Sequence, residues 1–316
     1  MSPTIEGLHH LTAISKDAQQ TVDFYVGLLG LRFVKKTVNF DDPTTYHLYF
    51  ADAAGSPGTV LTFFPWPSAA PGRLGVGQTS AVAFSVPMGA LRFWEKRLKS
   101  RDVSIAHRSE RFGEAFMAFK DPDGMCLELV ETTQTQAGYR PWKDGLNEDV
   151  AIRGFHTVTL LTEGYEHSVK LLTEVFGFEQ THIAGERYRF VTAGTQVPAL
   201  DLLCCPDRQR GRIGAGSVHH VAWHLDDDDD HQILQRELAD RGFNVTPVID
   251  RQYFSSIYFR EPGGVLFEVA TKSPGFTVDE DEEMLGHKLQ LPPQHRHLRE
   301  KLEQRLPRLT APSVDK

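Results

Sequence analysis

The chain reads as an α+β protein built from four βαβββ modules paired into two curved, barrel-like sheets. Three observations predict this. A strand-like segment, a helix-like segment and about three further strand-like segments recur four times along 316 residues, a length that holds two domains or four small modules. The repeats can be laid over one another. SVHHVAWHL and REPGGVLFEVATK, within residues 216–272, align with TSAVAFSV and KDPDGMCLELVETT, within 77–133, and GLHHLTAIS from Gly7 aligns with GFHTVTLLT from Gly154. Finally, one such unit cannot close its own core, so pairs must share a sheet, whose concave face makes a pocket.

In the first module Asp17 is placed to cap a helix running to Gly30, with Gln20 three residues on and Val22, Tyr25 and Leu29 at helical spacing. LRFVKKTVNF, YHLYFA and TVLTFF follow as strands. The second helix sets Leu91, Trp94 and Leu98 on one face. The third does so with Tyr165, Val169, Leu172 and Val175, and the fourth with Ile233, Leu234 and Leu238, leaving through Gly242. Boundaries fall in stretches rich in Gly, Pro or charge at 67–77, 133–151 and 207–215. The modules are therefore 5–67, 77–133, 151–206 and 215–272. An extension at 273–316 is acidic, then helical and basic, suited to cover a module edge or to contact a second copy. The Asp226–Asp230 run reads as a solvated turn and helix start, where carboxylates suit the helix dipole.

A net charge of −8 argues against a general nucleic-acid binder, which needs a basic face. No apolar run reaches the roughly 18 residues of a membrane span, and MSPTIEGLHH lacks the basic region and apolar core of a signal peptide. Cys126, Cys204 and Cys205 form no framework of pairs and are read as reduced thiols of a cytoplasmic protein.

Only one copy of the repeat keeps its histidines. One set of matching positions reads His10, His220 and Glu268; the other reads Thr157, Ala81 and Glu128. A carboxylate inside the apolar strand VLFEVA is costly unless paired or bound to a cation. Two imidazoles and a carboxylate on one side of an ion leave up to three positions open, which points to Fe(II), with Mn(II) as its competitor. A structural zinc would want four closed ligands, preferably with cysteine. The position of the first module that matches Glu268 falls near Thr62, which adds no strong ligand. Glu128 is expected to meet a hydrogen-bond donor instead of an ion. Arg251 has a counterpart, Arg111, in the copy without histidines, which favours a partly structural role for it, such as pairing with the strand carboxylate.

GLHHLTAIS, FYVGLLGLRFVKKTVNFDDPTTYHLYFAD, GSPGTVLTFFP, SVHHVAWHL and DRQYFSSIYFREPGGVLFEVATKSPGF resemble the vicinal oxygen chelate superfamily of glyoxalase I and extradiol dioxygenases. Within it they resemble the ring-cleaving dioxygenases that act on para-hydroquinones, over about residues 5–310. The resemblance implies iron ligands at His10, His220 and Glu268. It implies a working site shared by modules one and four, and a lapsed one shared by modules two and three. It further implies roles near the metal for Arg251, Tyr258, His9, Thr12 and His219. Arg251 would steady an oxyanion and Tyr258 manage a proton. By strand parity His9 and His219 point away from the metal face unless a bulge intervenes. His47 and His156 read as packed rather than catalytic.

The function expected is ring opening of a small hydroquinone-type aromatic with O2, a classical catechol being the near variant. Two rivals stay open. One is a glyoxalase-like metal-dependent isomerase or transferase, which needs a fuller ligand set. The other is a non-enzymatic binder of a small aromatic. Neither nucleic acid nor membrane is an expected partner, and a homo-oligomer is left open.

Overall fold

The computed structural model describes residues 3–192, 198–225 and 228–314. The first segment folds as β1 (Gly7–Ser15), α1 (Ala18–Val22), β2 (Arg32–Val38), β3 (Tyr46–Ala51) and β4 (Val60–Pro65). The second holds β5 (Gln78–Val86), α2 (Leu91–Ser100), β6 (Ile105–Arg111), β7 (Glu114–Lys120) and β8 (Cys126–Glu131). The third holds β9 (Phe155–Thr162), α3 (Glu166–Lys170), β10 (Glu179–Ala184), β11 (Arg187–Val191) and β12 (Pro198–Cys204). The fourth holds β13 (Val218–Leu225), α4 (Asp228–Asp240), β14 (Ile249–Asp250), β15 (Phe254–Arg260) and β16 (Leu266–Pro274). These strands make two eight-stranded sheets, ordered β14-β15-β16-β13-β1-β4-β3-β2 and β10-β11-β12-β9-β5-β8-β7-β6. The first and fourth segments thus share one sheet and the second and third share the other. In each, two first strands pair antiparallel at the centre (β1 with β13, β5 with β9).

Alternation along the strands decides what each face does. Leu11 and Ala13 of β1 join the continuous apolar core, which also takes Val22, Tyr25, Trp94, Leu234, Leu238 and Trp223. His10 and Thr12 take the opposite, concave face. The Tyr25 ring lies 4.6 Å from Phe63 and 5.5 Å from Phe50, so the first helix sits on the convex side of β3 and β4. Asp17 caps that helix by accepting from the Gln20 amide at 2.8 Å. After Val22 the helix widens into a π-helix over Asp23–Leu28, and α3 does likewise over Leu171–Val175. One side-chain expectation fails. Ile233 is 46% exposed, because Leu234 and Leu238, four apart, already define the buried stripe of α4. Asp226 and Asp227 of the acidic run lie outside the described residues, and α4 begins at Asp228.

The two sheets are tied together by their linkers, which pair at Pro71 with Ala215, Arg73 with Arg212 and Val76 with Arg210. The C-terminal extension covers the β2 edge. The Gln290 amide donates to the Lys36 carbonyl at 2.8 Å, and buried Lys35 is held by Asp279 and by Glu280 at 2.6 Å. A short helix, α5 (Arg299–Arg305), closes this extension with Leu302 buried. Among the described residues no helix is long and apolar enough to cross a membrane.

Candidate metal centre

β16, β13 and β1 are neighbours, and their register brings Glu268 level with Ala222, and Ala222 level with His10. His220 lies two residues before Ala222, on the same face. The three side-chain heads meet. His10 Nε2 lies 3.3 Å and His220 Nε2 3.0 Å from Glu268 Oε2, and the two Nε2 atoms are 3.4 Å apart. Ligands about 2.1 Å from one ion and roughly at right angles to one another lie about 3.0 Å apart, so the spacing suits a first-row ion. All three residues are buried, Glu268 completely. Ser256 Oγ donates to Glu268 Oε1, while Oε2 receives no hydrogen bond. A buried carboxylate oxygen without a donor, facing two imidazole nitrogens, fits a cation. Burial pushes the Glu268 carboxyl up, but His10 and His220 outweigh it and hold it well below the usual range.

The doubled histidines work through two bulges. The β1–β13 register skips His9 between Leu8 and His10, and skips His219 opposite the step from Thr12 to Ala13. A skipped residue is freed from strict alternation and can lie beside its neighbour. His9 Nδ1 is 2.9 Å from His10 Nδ1, and His219 Nδ1 is 2.8 Å from His220 Nδ1. Burial, then the adjacent histidine, lowers both His9 and His219, the latter to about 3. Neutral His9 and His219 can accept at Nδ1, and with a cation in place of any proton between Glu268 and the two rings, that tautomer would present bare Nε2 atoms of His10 and His220 to it.

A cavity of about 350 Å3 opens on this centre, walled by Phe40, Phe64, Trp66, Phe254, Ile249 and Leu266. Tyr258 and Arg251 line it as well, and Arg251 Nε donates to Tyr258 Oη at 3.1 Å. Burial, then the Glu268 charge, pushes the Tyr258 phenol far up, and Arg251 only partly offsets them. Arg251 does not pair with Glu268 as the sequence suggested. Its outer nitrogen reaches Asp41 at 3.4 Å, across the mouth from the loop after β2. His219 lines the cavity, whereas His9 packs behind, its ring 5.0 Å from Phe254. Thr12 also stays off the wall. Its hydroxyl meets Thr62 Oγ1 at 2.7 Å, and Thr62 stands in β4 where Glu268 stands in β16. His47, read from sequence as packing, lines the cavity and bonds Thr62 at 2.8 Å.

The second sheet repeats this frame with other chemistry. Its central register skips Ser80 and His156, the counterparts of His219 and His9. Thr157, Ala81 and Glu128 hold the matching places. Arg111 grips Glu128 with two hydrogen bonds, 2.8 and 2.9 Å. Asp201, where the other sheet has Thr62, takes Arg187 at 3.0 Å and Arg189 at 2.8 Å. Arg189 continues to Glu114, which His156 meets at 2.9 Å. Guanidinium groups thus neutralise both carboxylates of this frame. Sequence reading missed Asp201, Arg187, Arg189 and Ser256, although each sits at a strand position that the internal alignment could have compared. Among the described residues, His10, His220 and Glu268 are the one group of three or more such side chains whose ligand atoms converge.

Comparison with known proteins places the chain in a family. The family model described as glyoxalase/bleomycin resistance protein/dioxygenase superfamily matches residues 7–129 and 154–269. A Bacillus subtilis protein named "Putative ring-cleaving dioxygenase MhqO" is 47% identical over 97% of each chain. The chlorohydroquinone/hydroquinone 1,2-dioxygenase of Sphingobium indicum is 37% identical over 94% of this chain and 95% of its own. The crystal structure of a "putative dioxygenase" from Bacillus subtilis superposes with a TM-score of 0.93 at 45% identity, covering 99% of this chain and 100% of that one. Maize (Zea mays) glyoxalase I shares the fold alone, with a TM-score of 0.64 at 13% identity over 89% of this chain and 97% of its own.

Proposed function

This chain belongs to the glyoxalase/bleomycin resistance protein/dioxygenase superfamily, and we propose that it is an Fe(II)-dependent dioxygenase that opens a hydroquinone-type aromatic ring with O2. The observation that carries the reading is the buried, donorless Glu268 Oε2 facing two imidazole nitrogens at one end of an aromatic-walled cavity. The substrates named for the Sphingobium indicum relative support it. His10, His220 and Glu268 would hold the metal, Fe(II) before Mn(II), with the open side toward the cavity. Bound iron would supply Lewis acidity toward a phenolate and the redox chemistry that O2 requires.

The protein's own groups do the rest. Phe64, Trp66 and Phe254 border the space for a flat ring and keep water from it. Arg251 sets a fixed positive charge beside Tyr258, where an oxyanion of the opened ring would gather charge. Tyr258 stays a phenol at neutral pH and so serves as proton donor. His9 and His219 set the tautomers of the ligand histidines. Thr12 engages Thr62 and keeps the fourth direction uncharged. A glyoxalase-like reaction would want a ligand there, and Thr62 is already bonded on both sides. Three free thiols suit a reducing, cytoplasmic setting.

An oxygen-electrode trace of the anaerobically Fe(II)-loaded protein tests the proposal. Hydroquinone should draw O2 faster than catechol does. Tight binding of hydroquinone without O2 uptake would mark a binding protein instead.

A further inference from the structure

The cavity holds a second tyrosine that the catalytic reading does not use. Tyr49 of β3 lies opposite Thr62 in the register, as Tyr258 of β15 lies opposite Glu268. The two halves of the sheet therefore send one phenol each into the same cavity from opposite flanks. The residue two before each phenol repeats the match. His47 bonds Thr62 at 2.8 Å, and Ser256 bonds Glu268. In the second sheet the corresponding positions carry Arg189 and Ala118, so the facing phenols belong to this cavity alone among the two frames.

Tyr49 is 2% exposed, and among the described residues its hydroxyl has one hydrogen-bond partner, His47 Nδ1 at 2.8 Å. A phenol oxygen can donate once and accept as well, so it has capacity left for a ligand. Thr12, Thr62, His47 and Tyr49 form a continuous chain of hydrogen bonds, 2.7, 2.8 and 2.8 Å long. Each of these groups can both donate and accept when the imidazole is neutral, so the chain can run either way. Tyr49 can then offer either its proton or a lone pair without moving.

We propose that Tyr49, set by His47, is the specificity-determining pole that binds the second hydroxyl of a ring whose first oxygen sits at the His10–His220–Glu268 centre. His10 of the centre stands on β1 and Tyr49 on β3, with β4 between them, about 9.5 Å apart at the backbone, so a ring with oxygens at opposite ends suits both poles better than one with adjacent oxygens. The inference rests on the proposed dioxygenase reading and assigns the residue that would select a para-diol over a ring with one hydroxyl. His47 acts through Tyr49 and is a positioning residue.

The test is anaerobic binding of hydroquinone and of 4-methylphenol to the Fe(II)-loaded protein and to Tyr49→Phe. 4-Methylphenol keeps one hydroxyl and lacks the second. The native protein should prefer hydroquinone, and Tyr49→Phe should weaken hydroquinone about tenfold, the order of one lost hydrogen bond, leaving 4-methylphenol unchanged. His47→Gln, which keeps one of two hydrogen bonds, should give a smaller loss in the same direction and serves if Tyr49→Phe misfolds. Equal weakening of both ligands, or no weakening of either, overturns the role of Tyr49 while the dioxygenase reading stands. A native protein that binds neither ligand overturns both.

Discussion

Arg111 clasps Glu128 with two guanidinium nitrogens, at 2.8 and 2.9 Å, whereas Arg251, at the matching place in the other sheet, turns from Glu268 to Tyr258. The same strand carboxylate is thus neutralised by an arginine in one sheet and left to two histidines in the other. On the proposed reading, an internal cation and an external one would be alternatives at equivalent positions.

One consequence is a stoichiometry of one metal per chain. Arg111→Ala should leave that number and the rate of turnover unchanged. It should lower stability by about 3 kcal/mol, because it strands a buried carboxylate. Urea unfolding and elemental analysis of the same sample check both halves. Two ions per native chain would refute the internal-cation reading.

Tyr258→Phe should keep the metal, since it touches no ligand, and lower kcat by about 10²–10⁴-fold with little change in KM. Arg251→Lys should also slow turnover, since lysine keeps the charge but loses the planar fork that reaches both Tyr258 and Asp41. Steady-state kinetics on iron-replete variants read this out. Native kcat in Tyr258→Phe would move the proton to another group.

Acid should loosen the metal-free protein earlier than its carboxylates require. Burial keeps His9, His47 and His219 neutral, with His219 at about 3. The unfolded chain takes up a proton at each near the ordinary value of 6.5, and the folded chain does not, so stability falls as pH drops below 6.5. For His219 the loss is about 2 kcal/mol by pH 5, at roughly 1.4 kcal/mol per unit. Glu268 acts lower down. Its folded value is depressed, so its contribution is present above the usual carboxylate range and goes as pH falls through and below it. The urea midpoint should drop between pH 7 and pH 5, and less so in His219→Asn. A flat native profile over that interval would mean that these imidazoles titrate freely.

Gly286 fastens the C-terminal extension. Its φ is +80°, and a Cβ there would lie 1.9 Å from the Phe33 carbonyl oxygen. Gly286→Ala should lift the extension from β2 and uncover the ion pairs of Lys35. Limited proteolysis should then cut near residues 279–290 while the centre keeps its metal. Unchanged protection would show that the extension does not depend on that contact.

Much of the centre was legible before any coordinates, because duplication makes the chain its own control. His10 against Thr157 and His220 against Ala81 single out the candidate ligands, and Glu268 against Glu128 shows a kept carboxylate in two settings. That the place of Glu268 falls near Thr62 in the first module was legible too. The rest depends on register, which strand period alone does not reveal. His9 and His219 lie beside His10 and His220 only because each is skipped in the pairing of β1 with β13. Asp201, Arg187 and Arg189 come together only once β11 and β12 are in register, and Tyr49 and Tyr258 share a wall only once β3 and β15 flank one cavity. Ile233 shows the opposite limit, since an apolar residue at helical spacing can still lie just outside the buried stripe.

The most direct test of the centre is metal content and O2 uptake measured on one preparation of native protein and of Glu268→Ala, each loaded anaerobically with Fe(II) and given hydroquinone. The native chain should hold one iron and consume O2, and Glu268→Ala should lose both together. A variant that retains stoichiometric iron and native O2 uptake would contradict a centre built on His10, His220 and Glu268.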